Sequence, residues 1–245
     1  SLAVFDDNKL LWASLAKDFS KVPNDPDFNW TQIEVAKQSF GPPWAIQWYE
    51  RPGLKTLRQW RAGQGWLWKE NNIPNYLKRW GLDVPIKYTQ HHLSHAAYAY
   101  YTQPRDDCAV ICLDSIGEFE TLTIWHGKNK KLKKVFSQGY PHSLGLFYSA
   151  MTQRLGLTPQ RDEYKVAQMA QKGDPNKFKK IIMQDIIDVV PGIPKIVMKE
   201  NLHRGCMWWR PEIKSKQDLN DLAASVQEIF ETSLDVLQCW TKKRT

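Results

Sequence analysis

Apolar and polar positions along this chain recur with two different periods, and each change of period marks an element. Near the start, LAVF and LLWASLAK flank the polar DDNK, and turn chemistry between two apolar runs predicts a β-hairpin over residues 2–17. Residues 21–27 are rich in Pro, Asn and Asp and read as loop. Between 30 and 80 the apolar spacing is helical but interrupted at Pro42, Pro43, Pro52 and Gly53, which predicts short helices and connecting loops. IPNYLKRWG leads into a short strand, VPIKYTQ, and then into a helix that starts near His91. Three runs rich in Val, Ile and Thr follow (CAVICLD, TLTIWHG and LKKVFSQ), separated by turns that contain glycine. Helical spacing returns in LGLFYSAMTQRLG, DEYKVAQMAQKG and NKFKKIIMQDII, and residues 189–211 read as irregular. In DLNDLAASVQEIFETSLDVLQCWTKKR, the residues Leu222, Val226, Ile229, Phe230, Leu234 and Leu237 keep the three-four spacing of one buried helix face. A meander of strands followed by helices predicts an α/β or α+β layered domain.

Composition narrows this picture. A chain of 245 residues is long enough for one large domain or two small ones. No apolar run approaches the ~20 residues of a membrane-spanning helix, and the N-terminus lacks the basic leader and apolar block of a signal peptide. The four cysteines form no CxxC pair and no dense framework, which predicts a reducing, cytoplasmic setting. The formal net charge is +8, and seven of the twelve tryptophans fall between residues 30 and 80. Cations neutralise phosphates and aromatic faces stack on bases, so this combination raises nucleic-acid binding. No nucleic-acid module can be read in the chain. The expectation is therefore a basic surface over a Trp-rich core, and anionic small molecules suit the same charge.

The stretch HHLSHAAYAYY, residues 91–101, holds three of the six histidines. On a helix, His91 and His95 stand at i and i+4, which puts two imidazoles on one face within reach of one ion, while His92 points elsewhere. The small residues Ala96, Ala97 and Ala99 would let this helix lie close to a sheet. Asp114 ends the apolar run AVICLD and precedes the glycine-containing turn SIGE, so a carboxylate sits at a strand end beside a backbone that a ligand can approach. Two His and one carboxylate suit Fe(II) or another divalent metal with open positions. By itself HxxxH also fits helix-start histidines that only make hydrogen bonds.

Several ordered motifs carry a more specific signal. HHLSHAAYAYY, VICLDSIGEFET, YPHSLGLFYSAMTQRLGL, DEYKVAQMA and DLAASVQEIFE resemble, in this order, the O-carbamoyltransferase family of nodulation, cephamycin and aminoglycoside-antibiotic carbamoylation enzymes. The resemblance covers most of the chain and is weakest over the Trp-rich residues 30–80, which read as an embellishment on the core. It implies an N-terminal domain of the actin/sugar-kinase-like ATPase fold, a mixed sheet with flanking helices, similar to tRNA threonylcarbamoyl-transfer proteins. It also implies a separate C-terminal domain that makes carbamoyl-adenylate from carbamoyl phosphate and ATP, after which the carbamoyl group passes to an acceptor hydroxyl. The metal ligands of the family correspond to His91, His95 and Asp114, the three residues that spacing also selects. Ser143 and Gly145 correspond to a loop near the carbamoyl-adenylate, although an ordinary helix start reads the same way. Backbone donors around Gly117 and Gly145 would stabilise phosphate and developing oxyanion charge. Lys165 could neutralise phosphate or simply be a helix-surface lysine. Asp221 would face the acceptor, or cap its helix.

The chain also departs from this family. The family's opening strand would precede SLAVFDD, and its acidic motif appears here as AKDFSK, with Ala16 and Lys17 in place of glutamates. The glycine-rich adenine turn and the carbamoyl-adenylate-forming domain would come after CWTKKRT. The expectation is a partial transfer domain over 1–245 whose partners are a nucleotide and a small-molecule or sugar acceptor. A homodimer is one arrangement the sequence allows. The rival expectations are threonylcarbamoyl transfer to tRNA, and a non-catalytic module that binds a nucleotide or partner.

Overall fold

The computed structural model describes residues 1–7, 9–23 and 25–244. Two compact units result, Ser1–Thr89 and Gln90–Thr245.

In the first unit, β1 (Leu2–Asp6) pairs antiparallel with β2 (Lys9–Ser14), from Leu2 opposite Ser14 to Asp6 opposite Lys9. This is the expected hairpin, with Asn8 of its turn outside the described residues. Its second strand stops at Ser14, however, and Ala16–Ser20 forms a short helix, α1, where the reading had continued the strand. Helix α2 (Trp30–Phe40) begins where the Asn29 side chain accepts hydrogen bonds from the N–H groups of Thr31 and Gln32. Short helices α3 (Pro52–Arg61) and α4 (Ile73–Arg79) follow, as the broken helical spacing predicts. The strand expected in VPIKYTQ is β4 (Ile86–Tyr88), and it pairs in parallel with β3 (Ile46–Trp48), a three-residue strand that the helical reading of residues 30–80 missed.

The core of this unit is Ile33, Ile73, Leu77 and Leu82, joined by Phe28, Trp48, Tyr76 and Trp80. It is too small to hide the remaining indoles. Trp30, Trp44, Trp60, Trp66 and Trp68 are exposed, as is Trp208 in the second unit. The expectation of a Trp-rich core is thus corrected: Trp125 and Trp209 are the tryptophans that are buried.

The second unit is layered. Helix α5 (His91–Tyr101) precedes an antiparallel meander of β5 (Cys108–Gly117), β6 (Glu120–Lys128) and β7 (Lys131–Gly139). The central strand, β6, is buried on both faces because its side chains alternate between two clusters. Leu122 and Ile124 enter the large core, whereas Trp125 joins Val110, Cys112, Ala96 and Tyr100 beneath α5. Ala96 packs against the sheet as expected, but Ala99 faces out.

On the opposite face stand α6 (Leu144–Arg154), α7 (Glu163–Ala170), α8 (Lys179–Asp185) and α9 (Lys216–Lys242). They bury Phe147, Met151, Val166, Ile182, Leu222, Val226, Ile229 and Leu237 in the large core. Phe230 and Leu234 lie at its margin, half-buried. Residues 189–211 are less irregular than their prolines suggest. The hairpin of β8 (Ile187–Val189) and β9 (Ile196–Met198) and a turn of 3-10 helix at Leu202–Arg204 order them.

All four cysteines are free. Burial pushes the thiols of Cys112 and Cys206 up to about 11, so both are poor nucleophiles at neutral pH. Cys239 is exposed on α9. Ellman's reagent on the native protein should therefore reach Cys239 first and leave Cys112 and Cys206 unmodified until denaturant is added, which peptide mapping of the labelled thiols checks.

No helix among the described residues is long and apolar enough to cross a membrane.

Candidate metal centre

The first turn of α5 and the outer end of β5 meet. The i, i+4 spacing turns His91 and His95 to one side of the helix, with ring centroids 4.8 Å apart. His91 Nε2 lies 2.8 Å and His95 Nε2 lies 3.9 Å from Asp114 Oδ2, and the two Nε2 atoms are 3.0 Å apart. One nitrogen or oxygen from each residue falls within 4.8 Å of the others. An ion with ligands at roughly 2.0–2.2 Å separates adjacent ligand atoms by about 3–3.5 Å at tetrahedral or octahedral angles. Donor types and spacing therefore fit a divalent cation with free positions.

The electrostatics fit as well. Burial pushes the Asp114 carboxyl up. The hydrogen bond from His91, its charge and the backbone N–H of Ser115 (2.6 Å to Oδ1) outweigh that and hold it below the usual carboxylate range. Burial lowers the pKa of His95, and repulsion from His91 adds to it. An anionic carboxylate and a neutral imidazole are the states in which these groups bind metal.

His92 points away from the cluster, as the spacing predicts. It is fully buried, with Nδ1 2.9 Å from Thr123 Oγ1 and Nε2 3.1 Å from the Glu120 carbonyl. A carbonyl can only accept, so Nε2 carries the hydrogen. Nδ1 then accepts from the Thr123 hydroxyl, whose oxygen takes the Trp125 Nε1–H at 2.8 Å. Sequence reasoning missed Thr123 and Glu120 as supports of this centre. The available signal was the period of two in β6, which puts Thr123 on the same face as Trp125, under α5.

The remaining candidates fall into two groups. Gly117, Ser143 and Gly145 surround the cluster. Gly117 lies under the rings of His91 and His92. Ser143 caps α6 by accepting the Leu146 N–H at 3.0 Å while its hydroxyl donates to the Asp114 carbonyl, also at 3.0 Å. Gly145 packs on the backbone of Asp114 and Ser115. The start of α6 thus grips the bulged stretch of β5 that presents the carboxylate.

Lys165 and Asp221 have other partners. The Lys165 ammonium is 3.0 Å from Asp162, the residue just before α7. The Asp221 carboxylate, buried on α9, accepts from Lys177 at 2.8 Å, from the Asp174 N–H at 2.9 Å and from Gln217 at 2.8 Å. Led by the Lys177 ammonium, these donors hold its carboxyl below the usual range, and they tie the 174–177 loop to α9.

Comparisons with known proteins bear on the family of the chain. A family model described as the carbamoyltransferase N-terminus matches residues 58–238, a stretch that contains every residue of the cluster and its supports. Uncharacterized protein sll1178 of Synechocystis is 38% identical over 105 residues, 43% of this chain and 17% of that protein. Nodulation protein NolNO of Sinorhizobium fredii is 29% identical over 149 residues, 60% of this chain and 22% of the relative. Nodulation protein NolO of Bradyrhizobium diazoefficiens is 28% identical over 144 residues, 58% of this chain and 26% of the relative. The chain spans about a fifth of the length of the curated relatives it matches. With the matched stretch covering well over half of its residues, this chain belongs to the carbamoyltransferase N-terminus family.

Proposed function

We propose that this chain is the acceptor-side part of an O-carbamoyltransferase. The enzyme would pass a carbamoyl group from carbamoyl-adenylate, made from carbamoyl phosphate and ATP by another part of the longer protein, to a hydroxyl of a small molecule or sugar. The carrying observation is the convergence of His91, His95 and Asp114 within a chain of this family. An actin/sugar-kinase-like organisation is part of the proposal, supported by the mixed α/β layers of the second unit.

His91, His95 and Asp114 would hold a divalent metal, Fe(II) being the first choice for two imidazoles and a carboxylate. Such an ion supplies Lewis acidity toward a carbonyl or hydroxyl oxygen. The chain's own residues do the rest. Asp114 stays anionic because His91 and the Ser115 N–H oppose its burial. Ser143 and Gly145 bring the first turn of α6 against the same stretch of β5, and backbone N–H groups at a helix start favour phosphate or developing negative charge beside the centre. The net charge of +8 suits anionic substrates.

The test is an assay of the full gene product with ATP, carbamoyl phosphate and a panel of sugars and aminoglycosides, read by mass spectrometry for carbamoylated acceptor. Asp114→Asn should lower turnover more than the ~100-fold that loss of an outer-shell partner costs a metal site. Undiminished turnover in that variant overturns the proposal, as does absence of product with every acceptor.

A further inference from the structure

We propose that Gly117 is a positioning residue: its missing side chain is what allows the His91 ring to reach Asp114, and so it sets the metal affinity of the centre. The inference rests on reading His91, His95 and Asp114 as a metal centre.

Gly117 ends β5, three positions beyond Asp114, and pairs with Glu120 across a tight turn. Its backbone is not in the left-handed region, so no conformational demand calls for glycine there. Space does. A Cβ at this position would stand 2.4 Å from His91 Cδ2, 2.9 Å from His91 Cγ and 2.8 Å from His92 Cδ2.

Something must then move, and the surroundings decide what. The His92 ring is held at both nitrogens by Thr123 and Glu120 and is fully buried, so moving it would break two hydrogen bonds. Gly117 itself pairs with Glu120, beyond a bulge that separates this pair from Leu113 opposite Leu122. The His91 ring, which is the nearer, must give most, and the His92 ring or the bulged strand must give with it. Ordinary contact begins near 3.4 Å, so the His91 ring must retreat by up to about 1 Å from a position in which its Nε2 is 2.8 Å from Asp114. Against metal–ligand bonds of roughly 2 Å, that displacement takes a ligand out of the coordination sphere.

The same helix and sheet supply a control. A Cβ on Gly127 would stand 2.4 Å from the Tyr100 ring, an equal steric insult to α5 at its far end, where no candidate ligand lies. Thr123→Val supplies a second route. It keeps the shape of the side chain and removes the hydroxyl that fixes His92, loosening the seat of the neighbouring ring without adding an atom beside it.

The experiment titrates the protein with Co(II), following affinity and the visible band that reports coordination, with far-UV circular dichroism for the fold. Gly117→Ala should weaken affinity about 10–100-fold and change the Co(II) spectrum, and Thr123→Val should do the same in smaller measure. Gly127→Ala should keep the affinity and spectrum of the wild type. Wild-type affinity and spectrum in Gly117→Ala or, if that variant does not fold, in Thr123→Val overturn the inference. Equal losses in Gly117→Ala and Gly127→Ala also overturn it, since they would mean a displaced helix. Failure of the metal reading itself has a different signature: Co(II) binding that survives loss of both His91 and His95.

Discussion

Replacing His91 and His95 together by alanine abolishes stoichiometric binding of a divalent metal, measured by plasma mass spectrometry after anaerobic loading and desalting. Two of the three convergent donors disappear, and a lone carboxylate on a half-buried stretch of strand retains a divalent ion only weakly. The affinity should fall by well over the ~100-fold typical of removing an outer-shell partner. The fold should survive, because His95 is exposed and the helix stays attached through His92, Ala96 and Tyr100. The loss of His91 has a further consequence. Its hydrogen bond and charge are the main forces that offset burial of Asp114, so the carboxyl titrates higher in the double variant. Retention of metal at the wild-type stoichiometry would remove the basis of the proposed chemistry.

Phe147→Ala should cost about 3–5 kcal/mol of stability, read from the urea-unfolding midpoint of the purified protein. Phe147 is 0% exposed and sits at the middle of the largest core, among residues of β6, α6, α8 and α9. Removing the ring leaves a cavity that the surrounding helices cannot fill without moving. Because α6 also carries Ser143 and Gly145 at its start, the same variant should loosen the grip on Asp114 and weaken metal binding. Trp44→Ala is the instructive contrast. That indole is larger, yet 79% of it is exposed, and its loss should change stability by no more than about 0.5 kcal/mol.

Much of the site was legible before any coordinates. HxxxH on a helix can only place two imidazoles on one side, and His92 between them can only point elsewhere, because the helical period leaves no freedom. Asp114 was legible as the residue that closes an apolar run, although β5 does not end there but continues through a bulge to Gly117, where the sequence suggests a turn. What the supports do was not. Ser143 and Gly145 were read through resemblance as contacts to an activated substrate. The structure puts them against the backbone of Asp114, a role that depends on a helix and a strand 29 residues apart in sequence being adjacent in space. Asp221 drew from its family position a role toward the acceptor, and what only the structure adds is its bond from Lys177, on a loop 44 residues earlier.

Local chemistry, then, was enough to determine the period of each element: the hairpin at the start, the three-strand meander, the histidine helix and the buried stripe of α9. These follow from side-chain spacing against a fixed rise per residue, which each segment carries within itself. The tertiary structure alone decided which faces meet. It set the parallel pairing of β3 with β4, the exposure of half of the indoles and the void at Gly117 that two imidazole rings fill. Such features depend on non-bonded distances between segments far apart in the chain, and no single segment encodes them.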